Sequence, residues 1–273
     1  MLRLATPDGW WLVTHPDHAH LAGDFATAWG NDRFVPPEPR SHVLRGIYEH
    51  DEGWRDRDAA PSITREGKPA AFSTELVGKY SAFEEIDLEA YLAVRRDAVL
   101  AIAHEDAYAA ILISMHTYNL LSARADRSTI RPDQLPLLDA FLEEQRGLQQ
   151  DLRSHFLDAN AFPPVQLSAH ALAENFRLLQ ATDNLSLLSC VDFAGPATLL
   201  HPLRLCDGGT REIQVERIAE RHFRLSPYPL RERTMQFSLP ARFVAGKTFR
   251  TSEELSDKLA DAGLQALEVT ITS

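Results

Sequence analysis

Residues 41–54 read SHVLRGIYEHDEGW. Val43, Leu44, Ile47 and Tyr48 recur at the spacing of one helix face, and the pattern predicts a helix over Ser41–Glu52 that Gly53 ends. His50 and Asp51 fall on or beside that stripe, close to Trp54. An imidazole and a carboxylate turned inward together are costly unless they are paired or bound to a cation. Neighbours on a helix point about 100° apart, so they rarely bond each other, but they can grip one ion from two sides. The plainer alternative makes Asp51 and Glu52 surface residues at a frayed helix end.

Working outward, a helix is predicted from Thr14, which can cap it, through Pro16 to Trp29, with Gly30-Asn31 as the stop. It carries His15, His18 and His20. His18 is in phase with Ala22, Phe25 and Trp29 and should face the core, whereas His20 is in phase with Asp24, Thr27 and Asn31 and should face solvent. His18 is then either a satisfied core residue or a ligand. Before this helix, Leu2 and Leu4, the Asp8-Gly9 turn and the return from Trp10 to Thr14 predict a β-hairpin.

Downstream, Trp54–Ala71 reads as a long loop with Pro61, Gly67 and Pro69. Helices follow over Asp87–His104, Glu105–Arg124, Pro132–Asp158 and Ser168–Phe193, with a break at Glu105-Asp106. On the last of these the inward stripe is Leu172, Phe176, Leu179, Asp183, Leu187 and Cys190, and Asp183 is its one charge. A metal would satisfy that carboxylate, and so would an Arg from another helix. His116, within AILISMHTYNLL, lies on a strongly apolar helix, where a hydrogen-bonded core histidine is the usual finding. His104 is a weaker signal, and the remaining histidines carry no spacing argument.

After Gly195-Pro196 the texture changes to short strands around Ile213–Ile218, Phe223–Leu225 and Phe237–Leu239, punctuated by prolines. A short helix from Thr251 to Ala262 and a last strand through Leu267, Val269 and Ile271 close the chain. The expected fold is therefore mostly α: a helical domain over residues 1–195 with its N-terminal hairpin, and a small strand-rich α+β appendage over residues 196–273.

Among 273 residues, 44% are hydrophobic, enough to bury a sizeable core. The 28 Lys+Arg against 39 Asp+Glu give a net charge of -11, ill suited to nucleic acid or an anionic membrane; a small anionic substrate stays open as a partner but would need a local basic pocket. Cys190 and Cys206 are too few and too far apart for a disulfide scaffold or a thiolate zinc site. No signal peptide or membrane span is evident, and the cytoplasm is the expected compartment. P-loop, Rossmann, serine-hydrolase and zincin motifs are all missing.

Imidazoles and carboxylates from separate helices suit a divalent metal: iron, manganese, nickel, zinc or magnesium. Such an ion could lower the pKa of a water for attack on a phosphate ester. Arg124, Arg127, Arg131, Lys79 and Arg55 are candidates to meet the phosphate, or else a solvated basic rim.

The order His18 … His50-Asp51 … Asp183 resembles the H…HD…D pattern of the HD-domain superfamily of metal-dependent phosphohydrolases. The strings DHAHLAGDFATAWG, EHDEGWRDRDAAP and LQATDNLSLLSC also resemble an uncharacterised bacterial family known only as a domain of unknown function, over nearly the whole chain. The first resemblance implies an HD-like helical bundle in which His18, His50, Asp51 and Asp183 are metal ligands and Asp51 is the catalytic carboxylate. His116 would be an additional ligand of a two-metal site, and a gap of 132 residues (183 minus 51) implies inserted helices. It implies phosphate-ester or nucleotide hydrolysis, with a di-iron oxygenase or a non-enzymatic metal- or ligand-binding module as alternatives.

Overall fold

The computed structural model describes residues 1–71, 87–159, 162–191 and 193–273. Its first element is the expected hairpin: β1 (Leu2–Ala5) pairs antiparallel with β2 (Gly9–Val13), Leu2 opposite Val13. Thr14 then caps α1 (His15–Ala28), its hydroxyl accepting from the Asp17 backbone N–H, with Pro16 in the first turn. α2 (Arg40–Tyr48) is followed by a 3₁₀ turn (Glu52–Trp54) and the short α3 (Arg55–Ala59). α4 (Leu88–Ala103) and α5 (Ala107–Asn119) are separated where the Asp106 side chain caps α5, at the predicted break. α6 (Leu135–Ala159) and α7 (Ala169–Cys190) complete the helical part.

From there the chain runs through β3 (Ala197–Thr198), β4 (Leu203–Arg204), β5 (Thr210–Arg211), β6 (Gln214–Ala219) and β7 (His222–Ser226). It ends with the long β8 (Thr234–Ala245), α8 (Ser252–Asp261) and β9 (Leu264–Thr272).

These strands overturn the expectation of a mostly α, HD-like bundle with a small appendage. Among the described residues one seven-stranded sheet, in the order β1-β2-β8-β9-β7-β6-β3, curls through the molecule. The N-terminal hairpin is joined to it through β2 and β8, with Trp10 opposite Val244. Two local features hid the sheet. β8 contains Pro240, which reads as a strand terminator. However, β2 pairs only with Arg242–Ala245, so earlier in β8 the proline sits beside β9 alone, where a missing N–H costs little. The second feature is Gly9, where an added Cβ would lie 2.2 Å from the Val244 carbonyl oxygen: the hairpin can approach β8 only through glycine.

The helices stack on this sheet in layers. α1 and α7 pack together against it, α2 and α5 pack outside them, and α4 and α6 flank α5. A single apolar cluster unites Phe25, Ile47, Leu112 and Leu179 of the helices with Leu2, Leu239 and Val269 of the sheet. Phe25 meets Phe237 edge to face at 4.7 Å, which keys α1 to β8. The sheet therefore acts as the floor on which α1 and α7 present their inward polar residues. No helix among the described residues is long and apolar enough to cross a membrane.

Candidate metal centre

α2 stops earlier than its pattern suggests, at Tyr48, with Glu49 as its C-cap. His50 and Asp51 therefore reach the core from the turn after the helix, not from its stripe. The His50 ring closes that turn: Nδ1 donates to the Ile47 carbonyl at 2.7 Å, satisfying an oxygen that the helix end leaves free. This leaves Nε2 directed inward. The atom is buried, and among the described residues it has no hydrogen-bond partner. It lies 3.4 Å from Asp183 Oδ1, at the long limit of a hydrogen bond, and 3.8 Å from Asp51 Oδ2.

His18 arrives from α1, inward as its phase predicts, and is 1% exposed. Its Nε2 is 2.9 Å from Asp51 Oδ2, and its Nδ1 is 2.8 Å from Ser186 Oγ. The Ser186 hydroxyl already donates to the Asp183 carbonyl, so it can only accept from His18, and Nδ1 carries a proton. Asp183 itself, 6% exposed on α7, faces the two histidines. His116, from α5, is 2% exposed and its ring centre is 5.0 Å from that of His50. All five residues expected to hold a metal are thus brought together. They form two overlapping trios, His18-His50-Asp51 and His50-His116-Asp183, with donor atoms in each within 4.8 Å of one another.

The charges are mutually adjusted. Burial works against the charged form of Asp51, but Arg95 and then His50 outweigh it and hold the carboxyl well below its usual range. Asp183 is likewise lowered against the effect of burial, by His50, His116 and His18. Burial alone would lower His50, yet Asp51 and Asp183 raise it. His116 is the exception: burial dominates and takes it down to about 3, so it is a neutral donor through the physiological range.

Gln180 lies beside His116, with its amide nitrogen 2.5 Å from Nδ1 and its Oε1 buried without a partner among the described residues. With the amide turned over, Oε1 would accept from a protonated Nδ1 and leave Nε2 as the free lone pair.

Two residues of this site escaped the sequence reading. Arg95 donates to Asp51 Oδ1 at 2.5 Å and, through Nε, to the Tyr91 hydroxyl at 3.2 Å. Its guanidinium carbon lies 5.4 Å from the Trp54 ring centre and 5.3 Å from that of Tyr91. Arg95 occupies an otherwise apolar stripe of Leu88, Leu92, Val99 and Ile102, and the test that singled out Asp183 would have found it. Gln180, three residues before Asp183 on the same helix, shows the same signal more weakly. The arginines put forward to meet a phosphate are engaged elsewhere: Arg55 with Glu52, Arg127 with Asp139 and Arg131 with Asp133, all at the surface. Arg124, in a π-helical turn (Leu120–Arg124), is near His201, and Lys79 lies outside the described residues.

The depressed pKa of His116 has a measurable consequence. As pH falls below about 6.5, the unfolded chain takes up this proton and the folded chain does not, so the residue destabilises the fold by about 1.4 kcal/mol per pH unit until its folded pKa is reached. Between pH 7 and pH 5 this amounts to about 2 kcal/mol. Urea unfolding in chelator should therefore show the stability gap between wild type and His116→Gln moving in the variant's favour by that amount. An unchanged gap would mean that His116 is not held neutral.

Over residues 1–246 the chain matches the family described as protein of unknown function (DUF3891), and it belongs to that family. The matched span contains His18, His50, Asp51, Arg95, His116, Gln180 and Asp183 and ends just after β8. No curated protein and no solved structure matches the chain.

Proposed function

We propose that this family member is a metal-dependent hydrolase of HD type acting on a small phosphate ester or nucleotide, with His18, His50, Asp51 and Asp183 as the ligand set and His116 beside it. The observation that carries the reading is His50 Nε2, a buried imidazole nitrogen without a hydrogen-bond partner among the described residues, facing two carboxylates. A buried polar atom left bare costs about 1–3 kcal/mol, and a cation removes that cost. Spacing supports the same reading. Donor atoms about 2.1 Å from an ion and at right angles lie about 3.0 Å apart. The observed edges are 2.9 Å for His18–Asp51 and 3.4 Å for His50–Asp183.

A divalent ion here would lower the pKa of a water enough to supply hydroxide near neutral pH. The chain's own residues provide the rest. With His50 deprotonated as a ligand, Asp51 and Asp183 count two negative charges against the one positive charge of Arg95, a net of -1 before the charge of the ion is added. A dication turns this to +1, which favours hydroxide or an anionic substrate over a neutral one. His116, uncharged, adds a nitrogen without adding charge.

The near-complete burial of the set, with His50 0% and Asp51 4% exposed, also favours a second reading: a module that holds an ion without turning over substrate. The two readings separate in one assay. Protein loaded with manganese or nickel should hydrolyse a generic aryl phosphate, lose that activity to chelator, and regain it on metal return. Stoichiometric metal with no turnover of aryl phosphates or nucleotides would leave only the binding module.

A further inference from the structure

Each side chain of this cluster has two polar atoms, and groups outside the proposed ligand set engage one of them in nearly every case; the other atoms of His18 and Asp51 meet each other at 2.9 Å. His50 Nδ1 is bonded to the Ile47 carbonyl, and His18 Nδ1 to Ser186 Oγ. Gln180 occupies His116 Nδ1, and Arg95 occupies Asp51 Oδ1. Only Asp183 keeps both carboxylate oxygens without a side-chain donor in hydrogen-bonding alignment among the described residues.

This matters because His50 belongs to both trios. One free nitrogen cannot serve two ions at once. If an ion takes the proposed set of His18, His50, Asp51 and one oxygen of Asp183, a second is left with His116 and the other oxygen of Asp183. Two donors are fewer than the three or four that protein metal sites ordinarily supply. A bridging carboxylate from Asp51 could make up the deficit, but only through Oδ1, which the Arg95 guanidinium holds.

We infer that Arg95 is a positioning residue that keeps Asp51 a one-oxygen ligand and so confines the site to a single ion per chain. The inference rests on the metal-site reading above. It draws further support from how firmly Arg95 is held. The side chain is 6% exposed, lies against Trp54 and Tyr91, and is fixed by the Tyr91 hydroxyl as well as by Asp51. To release Oδ1 the guanidinium would have to leave both rings and its carboxylate together. Two-metal chemistry, including a di-iron centre, is thereby disfavoured for this chain.

The test is metal binding by the full chain, read without any substrate. Equilibrium dialysis against manganese(II), followed by elemental analysis, should give one ion per wild-type chain at saturation, with the paramagnetic resonance spectrum of an isolated ion. Arg95→Lys, which keeps a donor for Oδ1, should behave the same. Arg95→Met frees Oδ1 to enter the coordination sphere, so its manganese spectrum should change while circular dichroism shows it folded. Two ions per wild-type chain with a spin-coupled spectrum would overturn the inference and leave the metal site standing. So would an Arg95→Met spectrum identical to wild type. Should the methionine variant fail to fold, the wild-type stoichiometry still decides. Wild type that takes up no manganese, cobalt, nickel, zinc or iron removes the metal-site reading itself, and the inference with it.

Discussion

Asp183→Asn is expected to lose the bound ion: metal affinity should fall by more than about 100-fold, because even changes one shell removed from a metal cost roughly 10–100-fold. The replacement keeps the shape of the side chain and removes its charge, so packing around Leu179 and Leu187 on α7 is unaffected. Without metal, the variant should also be less stable than wild type, because the His50 ring favours the charged Asp183 carboxyl and that interaction is lost. Added metal separates the two proteins. At a concentration about 100 times its dissociation constant, an ion stabilises the form that binds it by about 2.7 kcal/mol. Wild type should therefore melt several degrees higher with manganese or nickel, and Asp183→Asn should not. An equal rise in both proteins would show that the ion sits elsewhere.

How much of this was legible beforehand differs between the helices and the sheet, for a physical reason. Helical phase is local: His18 shares a face with Ala22 and Phe25, and Asp183 interrupts an apolar stripe, so both could be aimed inward from residue spacing alone. The sheet is not local. β2 and β8 meet across more than 200 residues of chain, and neither Gly9 nor Pro240 looks like part of a long sheet until the partner strand is known. His50 and Asp51 fall between these cases. They do reach the core, but from the turn after α2, because the His50 ring takes over the Ile47 carbonyl. Periodicity reports where a helix points and is blind to a side chain that ends it. Arg95 was missed for another reason. An arginine in a helix is usually taken to reach solvent through its long stem, and only the apolar neighbours on its own face argue otherwise.

That buried arginine makes the second large effect a matter of stability. Asp51→Asn should destabilise the chain by about 3–5 kcal/mol even when metal is excluded, since it leaves the Arg95 guanidinium buried without its counter-charge. Against a total stability of about 5–15 kcal/mol this is a large fraction. The size sets Asp51 apart from Asp183, whose neighbours are imidazoles that can shed a proton when the carboxylate is removed, as a guanidinium cannot. A double-mutant cycle isolates the cause. Asp51→Leu alone and Arg95→Met alone should each be costly, but the double variant removes both charges and should recover much of the loss, giving a coupling of roughly 2–3 kcal/mol. Additivity within about 0.5 kcal/mol would mean that the pair is not coupled and that the cost of Asp51→Asn has another origin. The double variant also divides the two duties of Asp51. If it folds, it should bind metal far more weakly than wild type, because Asp51 Oδ2 is gone and only the His50-His116-Asp183 trio is left, while the fold that Asp51 Oδ1 and Arg95 supported has been rebuilt from apolar contacts.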